Sequence, residues 1–233
     1  IGVIDTLEQL DPSSRIVLLS HFDSKSPGPK KDQREILNRI ALLYPNKIYS
    51  LQTRIFLSRK DQTDTKVPIE TNYRSRSILF IGIGVYASPI PELIIPENGT
   101  ISINFPLTVS RIGSLSTRTT HPYFIRSLQS LLNDLGITTQ LMTPYKYQTK
   151  GEMVQGCLNQ TALQTTYAPS VSCGKRGRKS HWANRTGTDH CGVCMPCIYR
   201  RAALYSNGWD NQLYGINLLQ MVEPKYDLPS LAS

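Results

Sequence analysis

Cys191-Gly192-Val193-Cys194-Met195-Pro196-Cys197, read together with the upstream Cys173, decides how the C-terminal third of this chain folds. Two overlapping Cys-x2-Cys steps wrap thiolates around one ion and Cys173 adds a further ligand, a set that tetrahedral Zn2+ fits best. Four soft thiolates leave no open position for water or substrate, so the metal is expected to be a structural staple and not a catalytic centre. An iron-sulfur cluster on the same ligands and a pair of disulfides are the alternatives; sulfurs packed this densely suit a metal better than disulfides. Cys157 is left over. With Leu158 beside it and no charged residue among the next four, it reads as a buried thiol.

Outward from that motif, the 233 residues are enough for one large α/β domain or two small ones with a real core. No apolar run is long enough to span a membrane, and Ile1-Gly2-Val3-Ile4-Asp5 has neither the basic nor the apolar region of a signal peptide. A soluble protein in a reducing, cytoplasmic setting, with no membrane partner, is the expectation, and it too favours metal over disulfide. Ile1 already lies in a helical pattern with Val3, Ile4, Leu7 and Leu10 on one stripe, so the chain reads as one whose beginning has been removed. A net charge of +9 points to polyanions, whether ATP, nucleic acid or an acidic protein surface, without choosing among them.

The apolar run Ile16-Val17-Leu18-Leu19 reads as a buried strand of a parallel sheet ending in Ser20-His21. A Pro/Gly/Lys-rich loop is expected over 26–31, followed by a helix carrying Ile36, Leu37, Ile40, Leu43 and Tyr44 that Pro45 stops. Residues 48–58 are strand-like. Over 76–87 helix and strand are hard to separate, with Gly82 and Gly84 spaced for close helix packing. Leu93-Ile94-Ile95 is a brief strand, and a long loop of the kind that is commonly functional covers 96–118. Thr119 or Thr120 is expected to cap a helix with Phe124, Ile125, Leu128, Leu131, Leu132 and Leu135 on one face, Pro122 in its first turn and Gly136 at its end. Residues 138–142 supply another strand. This alternation predicts an α/β fold, a Rossmann-like parallel sheet with helices on both faces, plus a C-terminal zinc-binding extension.

Open parallel sheets bind ligands beyond the carboxyl ends of their strands, which singles out Ser20-His21, Glu97-Asn98 and Thr143-Pro144-Tyr145. His21 reads equally as a polar strand end in water. Arg74-Ser75-Arg76-Ser77 opens an expected helix where backbone N–H groups and a guanidinium fork hold phosphate or carboxylate. Arg111 and Ser116-Thr117-Arg118-Thr119-Thr120-His121 have the same anion-binding composition, although a solvated basic loop explains either cluster alone. Thr149 can cap a helix with Glu152 completing a capping box, which leaves Lys150 free to point at an anion. Lys175-Arg176-Gly177-Arg178-Lys179 and Arg200-Arg201 flank the cysteines. They either offset the negative charge of a tetrathiolate zinc site or form a basic finger for phosphate or a partner.

The zinc motif, Arg76, Thr149-Lys150 and the parallel-sheet rhythm together resemble the QueC-like 7-cyano-7-deazaguanine synthases, over about residues 69–203. In that family a Cys…Cys-Gly-x-Cys-x-x-Cys site follows a strand-Thr-Lys-helix segment. Ser77 stands where the family usually has Asn, and 116–121 stands where it carries a Tyr-Pro-Asp-Cys-Arg-like substrate element. The Arg-Ser-Arg-Ser and Ser-Thr-Arg-Thr-Thr-His-Pro wording is closest to QueC-like proteins of antiphage defence operons, the Qat and CBASS kinds. The family's Ser-Gly-Gly-x-Asp-Ser phosphate loop is absent; there it directly precedes the helix in which Ile1 begins.

The resemblance implies an N-type ATP pyrophosphatase domain over 1–160, lacking its first strand and phosphate loop, and a zinc-binding helical extension over 161–233. It implies adenylation of a 7-deazaguanine carboxylate by Mg2+-ATP and attack by an amine, giving an amide or nitrile; in a defence-type member the amine could belong to a partner protein. On that reading Arg74 or Arg76 holds phosphate or carboxylate, Lys150 stabilises charge at the α-phosphate, and Ser20-His21 borders adenine. Arg118, Thr119, Thr120, His121 and Thr149 complete the anion-holding set. The rivals are a zinc-ribbon nucleic-acid binder and a non-catalytic subunit that binds a deazapurine or a partner.

Overall fold

The structure, a computed structural model, describes residues 1–22, 27–54, 76–88, 90–103 and 120–217. The chain opens with helix α1 (Gly2–Gln9), whose stripe buries Ile4 and Leu7 as the apolar spacing predicts. Strand β1 (Ile16–Phe22), helix α2 (Pro27–Leu43) and strand β2 (Ile48–Arg54) follow. β1 and β2 pair in parallel from Ile16 opposite Ile48 to Phe22 opposite Arg54. Helix α2 begins inside the stretch expected to be a loop. Pro27 and Pro29 fall in its first turn, where proline's fixed φ suits the helix and its missing N–H is not needed.

Residues 76–87 form helix α3 (Arg76–Ala87), followed by strand β3 (Glu92–Ile94) and a short helix α4 (Gly99–Ile103) within the expected long loop. Of the two glycines on α3, only Gly84 serves close packing: a Cβ there would lie 2.6 Å from the Leu93 side chain, whereas one at Gly82 would meet nothing within 4 Å. Helix α5 (Pro122–Asp134) and strand β4 (Gln140–Met142) come next. The cap of α5 is His121, whose Nδ1 accepts from the Tyr123 N–H at 3.2 Å. Thr120 cannot serve, because it is buried with its hydroxyl 2.8 Å from Ser102 Oγ; Thr119 lies outside the described residues. Helices α6 (Lys150–Gln155), α7 (Gln160–Thr166) and α8 (Met195–Tyr205) complete the order, with a 3-10 turn at Arg176–His181.

The fold is mixed α/β, but among the described residues its strands form two separate parallel pairs, β1–β2 and β3–β4, in place of one continuous sheet. Pro91 and Pro96 bracket β3 and cannot donate to a ladder, which keeps that pair three residues long. β1 is only half-buried, Val17 remaining 38% exposed, because a two-stranded pair with α2 and α3 against it does not close over both faces of an apolar run. No helix among the described residues is long and apolar enough to cross a membrane.

Two apolar clusters organise these elements. Ile81 of α3 packs with Ile125 and Leu128 of α5 and with Leu93 and Leu141 of the β3–β4 pair. The other cluster joins Ile4 of α1 to Val154, Cys157, Ala162, Leu163 and Ala203 of α8, drawing residues from both sides of position 160. Asp5 lies beside it, buried, accepting from Tyr145 Oη at 2.6 Å and from the Leu158 N–H at 2.9 Å. Glu8 accepts from Tyr44 Oη and from Asn159 Nδ2 (2.7 Å), which ties the residue just after α2 to the same junction. Ile4 is 1% exposed at its centre. Ile4→Ala should therefore cost about 2–5 kcal/mol in urea unfolding; a loss below about 1 kcal/mol would show that this cluster is not the core.

Candidate metal centre

The thiols of Cys173, Cys191, Cys194 and Cys197 come together with every sulfur within 4.8 Å of the others. The two closest pairs, Cys191 with Cys197 and Cys173 with Cys194, are 3.9 Å apart. Tetrahedral Zn–S bonds of about 2.3 Å place sulfurs about 3.8 Å apart, so the cluster could hold a single metal ion such as zinc. Iron-sulfur clusters set their ligands farther apart, around several metal atoms. All five cysteines are free, so no disulfide competes for these sulfurs.

Local backbone chemistry explains why this sequence makes the cluster. Gly192 sits at φ +85°, and a Cβ there would lie 2.8 Å from Tyr214 Cβ, so only glycine turns the chain between Cys191 and Cys194. Backbone N–H groups of Cys191 and Lys175 point at Cys173 Sγ (3.3 and 3.4 Å), and that of Cys194 points at Cys191 Sγ (3.3 Å). Cys194 is the N-cap of α8, Pro196 lies in its first turn and Cys197 follows, so two sulfurs occupy the positive end of a helix, where thiolates are favoured. Hydrogen bonding shared among the four thiols holds Cys194 well below the ordinary thiol range and pushes Cys197 up. A bound divalent ion would take the place of those shared protons. Trp182, 3% exposed, and Val193 close the cluster from solvent. His190 is buried and held down to about 4, by burial and then by the Arg200 charge, so it is neutral, and its Nε2 accepts from the Ser172 N–H at 3.4 Å.

The cations around the cysteines divide into distinct groups. Arg176 pairs with Asp32 of α2 (2.5 Å) and Asp189 (2.9 Å), and Lys179 also pairs with Asp189. Half of the basic tract is therefore matched by carboxylates that tie the metal-binding turn to α2. Arg201 reaches Asp210 at 3.5 Å and lies over the Tyr214 ring. Neither Asp32 nor Asp189 stands out in the sequence; Asp32 lies 144 positions from Arg176 and Asp189 lies 13, both beyond any local spacing rule.

The metal-binding helix also reaches the other expected site. α8 packs on α6 at Gly151, where a Cβ would lie 3.1 Å from Ser206 Oγ. At the start of α6 the expected capping box is present: Thr149 Oγ1 accepts from the Glu152 N–H (3.2 Å), and the Glu152 carboxylate accepts from the Thr149 N–H (2.7 Å). Lys150 follows the cap, half-buried, and burial and then the Arg200 charge hold its pKa below the ordinary lysine value, with Glu97 and Cys197 acting oppositely. Burial raises the pKa of Glu97, which Lys150 partly counteracts. Their segments are tied together by the Gly99 N–H, which donates to the Gln148 carbonyl at 2.8 Å. Thr120 joins this neighbourhood through Ser102, whose hydroxyl donates to the Asn98 carbonyl at 3.0 Å.

The remaining candidates lie elsewhere. Ser20 and His21 are held by β2, α2 and α3: the Ser20 carbonyl accepts from Thr53 Oγ1 (3.3 Å), the His21 carbonyl from Gln33 Nε2 (3.2 Å), and the His21 ring lies 5.4 Å from Phe80. His21 is thus half-buried, not a strand end in water. His121 spends its Nδ1 on the α5 cap. Arg76 opens α3, while Arg74, Arg118 and Thr119 lie outside the described residues. Cys157 is the buried thiol expected, raised to about 11 mainly by burial.

Compared with known proteins, the chain matches no family model and no curated sequence. The geometry makes its own demand on the metal. Cys194→Ser should abolish stoichiometric zinc binding and unfold α8 together with α6, read as loss of helical circular dichroism, because metal affinity at such a site is folding free energy. Full zinc content and unchanged helicity in that variant would remove Cys194 from the ligand set.

Proposed function

We propose that this chain is an ATP-dependent, amide-forming enzyme that adenylates a 7-deazaguanine carboxylate and transfers it to an amine, as the resemblance to the QueC-like synthases implies. On this reading β1–β2 and β3–β4 belong to one Rossmann-like, ATP pyrophosphatase-type sheet, the zinc-binding part is a structural extension, and the enzyme works in the reducing cytoplasm, consistent with its free cysteines.

The observation that carries the proposal is Lys150. It stands at the start of a helix fixed by a capping box, and it makes no hydrogen bond or ion pair among the described residues. A half-buried cation with unspent donors is suited to charge that develops during reaction, since it is already oriented and poorly solvated. Here that charge is the one on the α-phosphate when the carboxylate attacks ATP and pyrophosphate leaves. Arg76 at the start of α3 is assigned to phosphate or carboxylate, and Ser20-His21 to the adenine border. Mg2+ arrives with ATP as part of the substrate. The acceptor is ammonia or the amine of a partner protein. The basic-finger alternative is less favoured, because Arg176 and Lys179 are already paired with Asp32 and Asp189.

Incubated with ATP, Mg2+ and a 7-deazaguanine carboxylic acid, the complete protein should release AMP and pyrophosphate. Lys150→Ala should lower that rate by roughly 10^2 to 10^3 with zinc content unchanged. Absence of AMP, or full activity without the Lys150 amine, contradicts the assignment.

A further inference from the structure

Arg200 is 5% exposed and lies one turn beyond Cys197 on α8. Its guanidinium donates to the Tyr167 carbonyl (2.9 Å), to Ser170 Oγ (2.8 Å) and to Gln212 Oε1 (3.2 and 3.3 Å). Every one of these acceptors is neutral, and no carboxylate pairs with Arg200 among the described residues. Asp210, which acts on it only from a distance, is occupied by Tyr214 Oη and Arg201. A guanidinium withdrawn from water without an anion is strongly unfavourable. One turn away, four thiolates around a divalent ion make a dianionic centre, equally withdrawn from water and equally in want of compensation.

We propose that Arg200 is the counter-charge of the metal centre, so that the zinc-thiolate group and this guanidinium form one buried electrostatic unit. Three other cations near the cysteines are held by carboxylates: Arg176 and Lys179 by Asp32 and Asp189, Arg201 by Asp210. Lys150 also feels Cys197 but makes no contact that orders a neighbouring segment. Arg200 does. Its hydrogen bonds to Tyr167, Ser170 and Gln212 bind the segments before and after the cysteines to α8, so metal occupancy and closure of those segments over α8 are coupled. This inference does not depend on the ATP chemistry.

The test is the zinc dissociation constant of the full chain, measured by competition with a chromophoric chelator, alongside urea unfolding of the metal-loaded and metal-free forms. Arg200→Met should weaken zinc binding 10- to 100-fold, the range seen when groups behind metal ligands are lost. Arg200→Lys, which keeps the charge but not the fork, should recover part of that loss, and Arg201→Met should bind zinc as the parent does. Equal zinc affinity in Arg200→Met and parent, with both forms destabilised alike, would show that Arg200 only packs and overturn the proposal. If Arg200→Met does not fold, Arg200→Gln and Arg200→Lys decide the matter, since equal weakening in these two variants also overturns it.

Discussion

The contact between α8 and α6 is the constraint on which the rest of this structure turns. Four sulfurs set where α8 starts, with Cys194 as its cap and Cys197 in its first turn, and Ala203 carries the far end of that helix into the cluster around Ile4. A helix of eleven residues has little stability alone, so its position depends on what anchors its ends. The anchors are a four-cysteine cluster that could hold a metal ion at one end and apolar packing at the other. Because α6 rests on α8 at Gly151, the placement of Lys150 inherits both.

Buried charge is the second theme. Lys150, Glu97, Arg200 and His190 occupy one region around the cysteines, each shifted from its ordinary proton affinity chiefly by burial. Such a concentration of desolvated groups marks either a functional site or a structural ion network. Arg200 is bonded on every side and acts toward the metal. Lys150 keeps its donors unspent and faces an incoming anion under the proposed chemistry.

What could be read from the residues was mostly local. The cysteine spacing and the Thr149-Glu152 capping box involve residues a few positions apart, and both are present as written. Helical spacing makes the stripe of α1 and the Ile125-Leu128-Leu132 stripe of α5 legible, but it overextends the α5 face, since Leu131 and Leu135 are 48% and 64% exposed. The start of α2 is hidden in the sequence because Pro27-Gly28-Pro29 has loop composition yet is acceptable in a first helical turn. The continuous sheet was inferred from a rhythm of elements, and rhythm does not specify which strands pair. Long-range partners were out of reach: Asp5 with Tyr145, Arg176 with Asp32 and Arg200 with Tyr167 depend on segments that only the folded chain brings together.

X-ray absorption at the zinc edge on the intact purified protein tests the central claim most directly. The account predicts one zinc ion per chain surrounded by four sulfur neighbours at about 2.3 Å. Absence of metal, an iron signal in its place, or a shell containing nitrogen or oxygen ligands would contradict it.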